Sequence, residues 1–536
     1  MKKLFFVIYL LSLTFAQSQN GKLSPIFYKD KREVFRKKMP ENSVAVLFSA
    51  PIRNRANDVD YVFHQDPNFF YLTGWHQPHS VLMIYKNPQV DELGSFNEKI
   101  YILERDEYKE LWNGKRYSVE AVKKLGFERV NTRNHFMNDI SNLSTYDKVL
   151  MFGFNNDIRN QEDDPFDLFD LKAAFKKAIN FPSSFDRELY TVYQHILEAD
   201  DDSIESIREE VKAHVQLDST LVEDEIIKQF LLYSNNDFFT EVKTKTAFAL
   251  RNFNFDLVTL PQIMKDMREI KSDDEIELIK KAVAISVIGQ KEVMKAMHAD
   301  MTEREIQGIH EFVYRKYGAA DEGYPSIVGA GENSCVLHYI ENEKKELDNQ
   351  LVLMDLGAEF YGFTADVTRT IPANGIYSQA QRELYEIVYE AQEKAIQASQ
   401  VGISFDSLYK LSYEIVSSGL IRLGIIDDIS DARSYYPHGL SHHIGLDVHD
   451  PGNYVDLAAD MVITIEPGIY IPAGSPCDPK WWNIGIRIED DILITEDGPV
   501  NLSEGAPRKW KEVELLMKQE SVLDAFILPK IETLIK

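Results

Sequence analysis

The sequence predicts an α/β domain followed by an α+β domain. The α/β prediction rests on short β-type runs, separated by Pro, Gly and Asn, at 44–48, 80–85 and 99–103. The α+β prediction rests on helical segments at 303–317 and 379–400 that alternate with strand-like runs at 351–354, 461–465 and 485–494. At roughly 150 residues per domain, a chain of 536 residues has room for two to four domains.

A helix start marks the predicted boundary between these domains. Ser272 and Glu275 have the spacing of a capping box, and apolar residues follow on one helical face. Upstream, apolar residues recur at helical spacing from Ile204 to Val215 and predict a helical insertion. We therefore expect an α/β domain with this insertion at 17–270, an α+β domain at 271–517 and a helical tail at 518–536.

The N-terminus is typical of a secretory signal peptide. Lys2 and Lys3 precede a largely apolar run that ends before the small residue Ala16. We expect residues 1–16 to be cleaved and the product to be exported to a periplasm or secreted, although a buried N-terminal helix is an alternative. Elsewhere the sequence lacks the roughly 18 uninterrupted apolar residues of a membrane span, so no membrane anchor is expected.

Charge and cysteine content exclude several classes of protein. With 59 basic and 86 acidic residues the formal net charge is −27, which disfavours binding to nucleic acid or anionic lipid. The only cysteines, Cys335 and Cys477, are too few for a disulfide scaffold or a thiolate zinc site. The composition is that of a soluble globular protein, 44% hydrophobic and 27% charged.

Two aspartates frame a predicted hairpin. Strand-like runs flank a turn signal at 359–362, and a turn centred between Phe360 and Tyr361 would place Asp355 opposite Asp366. Directly opposed carboxylates repel each other across a sheet, so this register predicts a cation between them. A slipped register with two unrelated aspartates is the alternative.

A histidine cluster follows in the second domain. His438, His442, His443 and His449 fall within twelve residues, and neighbouring glycines argue against a regular helix there. The zinc-protease helix motif is absent because no Glu follows the first His. Any one of these histidines could equally be a hydrogen-bonded core residue.

Two further strands supply carboxylates. The apolar run 461–465 leads directly into Glu466, and Pro467 keeps that residue extended. In the run 484–491, Arg487 and Glu489 share one face, which an internal salt bridge would also explain. A carboxylate at a buried strand end requires a partner.

Together these segments offer Asp355, Asp366, His442, Glu466 and Glu489 as metal ligands. Oxygen-rich ligation favours hard or borderline ions such as Mn²⁺. Several anionic ligands in one place fit two divalent ions about 4 Å apart.

The motifs that contain these residues resemble aminopeptidase P, the Xaa-Pro aminopeptidase branch of the dimetal pita-bread peptidases. They are MDLGAEFYGFTADVTRT, HGLSHHIGLDVHD, TIEPGIYI and GIRIEDDILIT. The resemblance covers about residues 270–517 and extends more loosely to Arg53-Asn-Arg and to 68–74. It implies a pita-bread catalytic domain behind a smaller α/β domain that resembles the N-terminal domain of creatinase and prolidase.

The resemblance also implies roles for individual residues. Asp366 and Glu489 would bridge two Mn²⁺ ions, and the other three predicted ligands would complete the site. The catalytic residues implied are Glu466, His449, His338, His438 and Arg487. The substrate-binding residues implied are Tyr324, His338, His449 and Tyr470.

The implied reaction is removal of the residue that precedes a proline in the second position of a peptide. A hydroxide bridging the two metals would attack the carbonyl, with Glu466 as general base and His449 stabilising the oxyanion. The family also suggests a homodimer or higher homo-oligomer. Prolidase, which cleaves only Xaa-Pro dipeptides, is the alternative enzyme, and a non-catalytic peptide-binding relative or a metal-free creatinase-type hydrolase is the alternative from another class.

Overall fold

The computed structural model describes residues 23–154, 164, 166–200, 203–232, 236–524 and 528. The chain divides into two compact units, one formed by 23–264 and the other by the chain from Lys265 onward. The predicted signal peptide lies outside the described residues. Within the described ranges, none of the helices has both the length and the apolar character that a membrane crossing requires.

The described part of the first unit contains a six-stranded mixed sheet in the order β6-β5-β4-β1-β7-β8. The sheet strands are β1 (Ser43–Phe48), β4 (Val81–Asp91), β5 (Gly94–Ile102), β6 (Val130–Thr132), β7 (Lys148–Leu150) and β8 (Phe255–Asp256), and a separate hairpin comprises β2 (Asn54–Ala56) and β3 (Val59–Asp60). The central strand β1 is buried and pairs antiparallel with β4 and parallel with β7. Val, Ile and aromatic residues make these strands because they pack well on a pleated surface.

Helices surround this sheet and form a second core of their own. The helices are α1 (Pro25–Lys38), α2 (Pro67–Thr73), α3 (Glu107–Asn113), α4 (Val119–Lys123), α5 (Phe136–Asp139), α6 (Leu168–Ala178), α7 (Arg187–Glu198), α8 (Ile204–Leu217), α9 (Glu225–Leu232), α10 (Asn236–Leu250) and α11 (Thr259–Arg268), with 3₁₀ turns at Arg133–His135, Ile140–Thr145 and Ser219–Glu223. Helices α7 to α10 bury Val192, Ile196, Val211 and Phe230 against one another. They occupy the region in which the sequence predicted a helical insertion.

The second unit is an α+β assembly around one large apolar core. Its helices are α12 (Asp273–Ala296), α13 (Glu303–Lys316), α14 (Gln379–Ala398), α15 (Phe405–Arg422) and α16 (Trp510–Leu516), with 3₁₀ turns at Gly331–Cys335, Ile429–Ser434 and Pro479–Trp481. Its strands are β9 (Asp321–Glu322), β10 (Ile327–Ala330), β11 (Leu351–Asp355), β12 (Ala358–Phe360), β13 (Phe363–Thr364), β14 (Thr368–Pro372), β15 (Val462–Ile465), β16 (Gly468–Ile471), β17 (Ile484–Arg487), β18 (Asp490–Thr495) and β19 (Gly498–Asn501). Small sheets form in the orders β10-β11-β14, β13-β12-β9, β15-β18-β19 and β16-β17. The predicted combination of an α/β domain and an α+β domain is confirmed.

Local sequence signals explain where the main helices begin. The Glu275 carboxylate accepts hydrogen bonds from the backbone N–H and the hydroxyl of Ser272, at 3.0 and 2.7 Å, which completes the predicted capping box of α12. Acidic residues fill the first turn of the same helix, where they favour the positive end of its dipole. The predicted helical tail at 518–536 lies mostly outside the described residues, and its described beginning contains a turn at 522–524.

Candidate metal centre

The hairpin that carries the two aspartates has a different register from the one predicted. Phe360 pairs with Phe363, so the turn is centred between Tyr361 and Gly362. Both turn residues have positive φ, 52° and 86°, as a two-residue type I′ hairpin turn requires. The predicted pairing of Asp355 with Asp366 is therefore wrong, and Asp355 faces Thr368 instead.

A tyrosine hydroxyl nevertheless connects the carboxylates of Asp355 and Asp366. The Tyr324 hydroxyl lies 2.7 Å from Asp355 Oδ1 and 2.5 Å from Asp366 Oδ1. Burial alone would raise the pKa of Asp355, but the Arg487 guanidinium and the Tyr324 hydrogen bond hold it below its ordinary value. Burial and the neighbouring carboxylates of Asp355 and Asp491 raise the pKa of Asp366 well above its ordinary value.

His442 presents a ring nitrogen to three carboxylates. Its Nδ1 lies 3.0 Å from the His443 carbonyl oxygen, to which it donates, so Nε2 is left with its lone pair. That nitrogen lies 3.5 Å from Asp366, 3.4 Å from Glu466 and 4.0 Å from Glu489. The segment is irregular, as its glycines predicted, and it does not form a helix.

Three of these groups are arranged as ligands of a metal ion. One donor atom from each of Asp366, His442 and Glu489 lies within 4.8 Å of the other two, and all three residues are buried. Burial, Asp366 and Glu466 raise the pKa of Glu489 well above its ordinary value, because adjacent buried carboxylates repel one another. A divalent cation relieves that repulsion, so the donor set fits a hard or borderline metal ion.

Glu466 borders the same cluster at the end of β15. Its backbone N–H donates to the Leu440 carbonyl at 2.9 Å, which fixes the carboxylate beside the histidine segment. Its side chain keeps 17% exposure, so solvent reaches it. Burial raises its pKa to about 7, against the lowering effect of His442 and Arg487.

Arg487 links the remaining predicted residues into one hydrogen-bond network. It pairs with Asp355 at 2.5 Å and donates to the Tyr470 hydroxyl at 2.8 Å. Tyr470 in turn lies 2.8 Å from Nε2 of His438, and burial lowers the pKa of His438 to about 3. Among the described residues, Arg487 and Glu489 do not form a salt bridge within 4.0 Å. The salt bridge of Arg487 is instead with Asp355.

His449 and His338 lie at the open side of the cluster. Both side chains are exposed, and the His449 ring centroid lies 4.2 Å from that of His442. Partial burial of the His449 ring lowers its pKa to about 4, and the neighbouring imidazoles of His442 and His338 lower it as well. A neutral His449 imidazole can donate an N–H to a carbonyl oxygen.

Sequence reasoning missed two residues that hold the ligands. The Thr368 hydroxyl donates to Glu489 at 2.6 Å, and Asp491 accepts the backbone N–H of Asp366 at 3.0 Å. Residues 366, 368 and 370 share one face of an extended chain, which could have indicated that Thr368 lies on the same side as Asp366. Asp491 is two residues beyond Glu489 on a strand, so the period of two was a signal there too.

Two family models match the chain. Metallopeptidase family M24 matches residues 277–496, and the aminopeptidase P N-terminal domain matches residues 28–151. The Xaa-Pro aminopeptidase of Haemophilus influenzae is 31% identical over 511 residues, 93% of this chain and 98% of the relative. The Xaa-Pro aminopeptidase of Escherichia coli is 29% identical over 503 residues, 91% of this chain and 97% of the relative.

Solved structures agree with these relatives. Proline aminopeptidase P II from Yersinia pestis superimposes with a TM-score of 0.71 at 28% identity, covering 92% of this chain and 99% of that one. A zinc-substituted Escherichia coli aminopeptidase P in complex with product gives the same TM-score and identity, with 92% and 98% covered. The similarity therefore extends over both units.

Proposed function

The chain belongs to metallopeptidase family M24, and from this premise we propose that it is an Xaa-Pro aminopeptidase. Such a hydrolase removes the N-terminal residue of a peptide whose second residue is proline. The observation that carries the proposal is the buried convergence of Asp366, His442 and Glu489, with Glu466 beside them. The Haemophilus influenzae and Escherichia coli relatives that bear this name match nearly the full length of the chain.

The donor set is the basis for proposing two divalent ions, with Mn²⁺ favoured. Asp366, His442 and Glu489 would hold the ions at the centre of the site, together with Asp355 and Glu466. Four carboxylates and one imidazole suit manganese better than a thiolate-type metal. Bound divalent ions lower the pKa of water and polarise a carbonyl, which is the chemistry peptide hydrolysis needs.

Glu466 is the residue we assign to proton transfer. It is the most exposed carboxylate of the cluster, with 17% of its side chain exposed against 11% for Asp355 and 7% for Asp366. It would take the proton of the attacking water and return it to the leaving proline nitrogen, which as a tertiary amide must be protonated to leave. His438 Nδ1 lies 3.6 Å from the second Glu466 oxygen, close enough to act on it electrostatically.

His449 is the residue we assign to the substrate carbonyl. Its exposed, neutral ring can donate a hydrogen bond to the oxygen on which charge develops. His338 would line the proline side of the cleft, since it is exposed and acts electrostatically on His449. Asp355 would accept a hydrogen bond from the free α-amine, which restricts cleavage to the first residue.

Substrates of different length distinguish the proposed aminopeptidase activity from that of a prolidase. The purified protein loaded with Mn²⁺ is incubated with an Xaa-Pro-Yaa tripeptide and an Xaa-Pro dipeptide, each with a chelator control. Chelator-sensitive release of the first residue from the tripeptide is the expected result. Cleavage of the dipeptide alone would identify a prolidase, and cleavage of neither would refute catalysis on Xaa-Pro bonds.

The role of Glu466 has its own test. Glu466→Gln keeps the shape of the side chain but cannot accept the water proton, so kcat on the tripeptide should fall by at least about 100-fold. Glu466→Ala should lose activity as well. Near-normal kcat in either variant would refute the proton-transfer role.

We also propose that the protein is exported and self-associates. The basic, apolar and small-residue order of the first 16 residues supports export, and N-terminal sequencing of the secreted or periplasmic protein should begin near residue 17. The likeness to aminopeptidase P supports a homo-oligomer, which light scattering tests. A monomeric mass would refute self-association.

A further inference from the structure

A buried ion cluster lies behind the loop that carries His442 and His449. Asp450 accepts hydrogen bonds from Arg268 Nη2 and, at 3.2 Å, from Lys271 Nζ. Arg268, Lys271 and Asp450 are each at most 3% exposed. Such a group of charges persists in the interior only because each is paired.

The cluster is connected to both histidines through the backbone. The His443 carbonyl oxygen accepts the Asp450 N–H at 2.9 Å and the His442 Nδ1–H at 3.0 Å. The ligand histidine and Asp450 therefore share one acceptor. His449 is the residue next to Asp450, so fixing Asp450 also fixes the peptide from which His449 projects.

The loop closes tightly on the Asp450 carboxylate. The Asp447 N–H donates to Asp450 Oδ1 at 3.1 Å, and Arg268 also reaches Asp447 Oδ2 at 3.1 Å. A Cβ at Gly445 would lie 2.7 Å from Asp450 Oδ2, so the chain approaches this carboxylate as closely as glycine allows. The loop is therefore folded around the Asp450 carboxylate.

We propose that Asp450, held by Arg268 and Lys271, is a positioning residue that fixes His442 toward the metal and His449 toward the substrate carbonyl. The inference rests on the proposed function for the roles of these histidines. The Asp450 carboxylate is bonded to Arg268, Lys271 and the Asp447 N–H, and it is not one of the proposed metal ligands. Replacing an outer group that orients a metal-binding histidine typically weakens metal affinity by about 10- to 100-fold.

The first test compares two buried carboxylates that each pair with arginine. Asp450→Asn keeps the shape but removes the charge, and Glu98→Gln does the same to the Arg32–Glu98 pair in the other unit, where Nε and Oε2 are 2.6 Å apart. We expect Asp450→Asn to lower kcat on the Xaa-Pro tripeptide at least about 10-fold with little change in KM, because His449 acts in the transition state. The Mn²⁺ dissociation constant should rise about 10-fold. Glu98→Gln should change kcat and metal affinity less than twofold, although it also lowers Tm.

A second variant separates positioning from charge burial. Asp450→Asn leaves Arg268 and Lys271 in excess, whereas Asp450→Asn combined with Lys271→Met restores the charge balance. The double variant should recover much of the lost Tm and keep the defects in kcat and Mn²⁺ affinity. Recovery of kcat together with Tm would overturn the proposal, as would wild-type kcat and metal affinity in Asp450→Asn.

The two readouts distinguish this inference from the proposed function. Mn²⁺ affinity is measured by calorimetry on the metal-free proteins and needs no substrate. If the wild-type protein cleaved no Xaa-Pro peptide, the proposed function would fail while the metal affinities still decided the role of Asp450. If the wild-type protein cleaved the tripeptide and Asp450→Asn matched it, the positioning role alone would fail.

Discussion

Replacement of Glu303 by Gln should destabilise the second unit markedly. Glu303 is the first residue of α13, and its side chain is fully buried. One carboxylate oxygen accepts from the Ala330 N–H at 2.8 Å and the Asn333 amide at 3.0 Å. The other accepts from the Tyr339 hydroxyl at 2.9 Å and the Lys344 N–H at 2.8 Å. These four donors span the segment that carries His338.

The size of the effect follows from the donors that Gln cannot satisfy. Its amide NH₂ must replace one oxygen, and it fits best toward Tyr339, whose hydroxyl can turn to accept. The Lys344 N–H is then left facing a donor, at a cost of about 1–3 kcal/mol, and the loss of charge weakens the remaining bonds by about 1 kcal/mol. The free energy of unfolding should therefore fall by about 2–4 kcal/mol.

Denaturant unfolding of the metal-free protein measures this loss, and Glu305→Gln is the matched control. Glu305 lies in the same helical turn, and its exposed carboxylate accepts the Thr302 N–H at 2.7 Å as the capping-box partner. Gln serves that role as well as Glu, so the control should change the free energy of unfolding by less than about 0.5 kcal/mol. A Glu303→Gln loss no larger than that of the control would refute the reasoning.

Three further predictions concern pH, packing and metal. Burial lowers the pKa of His310 to about 3 from 6.5, so the unfolded state binds the proton first and stability falls as pH drops through that window. Between pH 6 and 5 the free energy of unfolding of His310→Leu should fall by about 1 kcal/mol less than that of the wild type, and equal slopes would contradict this. A Cβ at Gly357 would lie 1.8 Å from the Ala365 carbonyl, so Gly357→Ala should lower the free energy of unfolding by at least about 2 kcal/mol. Gly308→Ala, in open space within α13, should instead gain about 0.5–1 kcal/mol, and similar effects of the two changes would contradict the packing argument. Mn²⁺ at 100 times its dissociation constant should stabilise the metal-free protein by about 2.7 kcal/mol, and Asp366→Asn should abolish most of that gain; an unchanged gain would argue against Asp366 as a ligand.

Local chemistry explains what the sequence could predict. The capping box of Ser272 and Glu275 depends on residues three apart, and the structure contains it. The strand that leads into Glu466 ends at Ile465, directly before Glu466 and Pro467. Signals of this range depend on neighbouring residues alone, so they can be recognised in a linear sequence.

Longer-range geometry explains what the sequence could not predict. The hairpin register depends on left-handed φ angles at Tyr361 and Gly362, and a non-glycine residue such as Tyr361 gives little warning of this conformation. Arg487 pairs with Asp355, 132 residues away, so strand alternation could not show its partner. The pairing of Asp450 with Arg268 spans 182 residues and was missed for the same reason.

Three buried carboxylates of the second unit pair with basic side chains, unlike those at the centre of the candidate metal site. Asp490 pairs with Arg369, Asp450 with Arg268 and Lys271, and Asp355 with Arg487. In the part of the chain that the structure describes, no Lys or Arg nitrogen lies within 4.0 Å of Asp366, Glu466 or Glu489. Their basic neighbours are histidines: His442 lies near all three, and His438 lies 3.6 Å from Glu466.

Leaving three carboxylates without a cationic side chain is costly unless a ligand supplies the charge. Neutral groups hold the donors of the cluster in place instead. The Thr368 hydroxyl donates to Glu489, and the His442 ring is fixed because its Nδ1–H donates to the His443 carbonyl oxygen. A divalent cation binds to ligand atoms that are held in place and whose negative charge is not already neutralised. The Asp490 carboxylate is neutralised by Arg369, so that pair orients the chain. Asp355 combines both features, because it pairs with Arg487 while the Tyr324 hydroxyl joins it to Asp366 in the cluster. Asp450, whose charge is matched by Arg268 and Lys271, belongs with the residues that position.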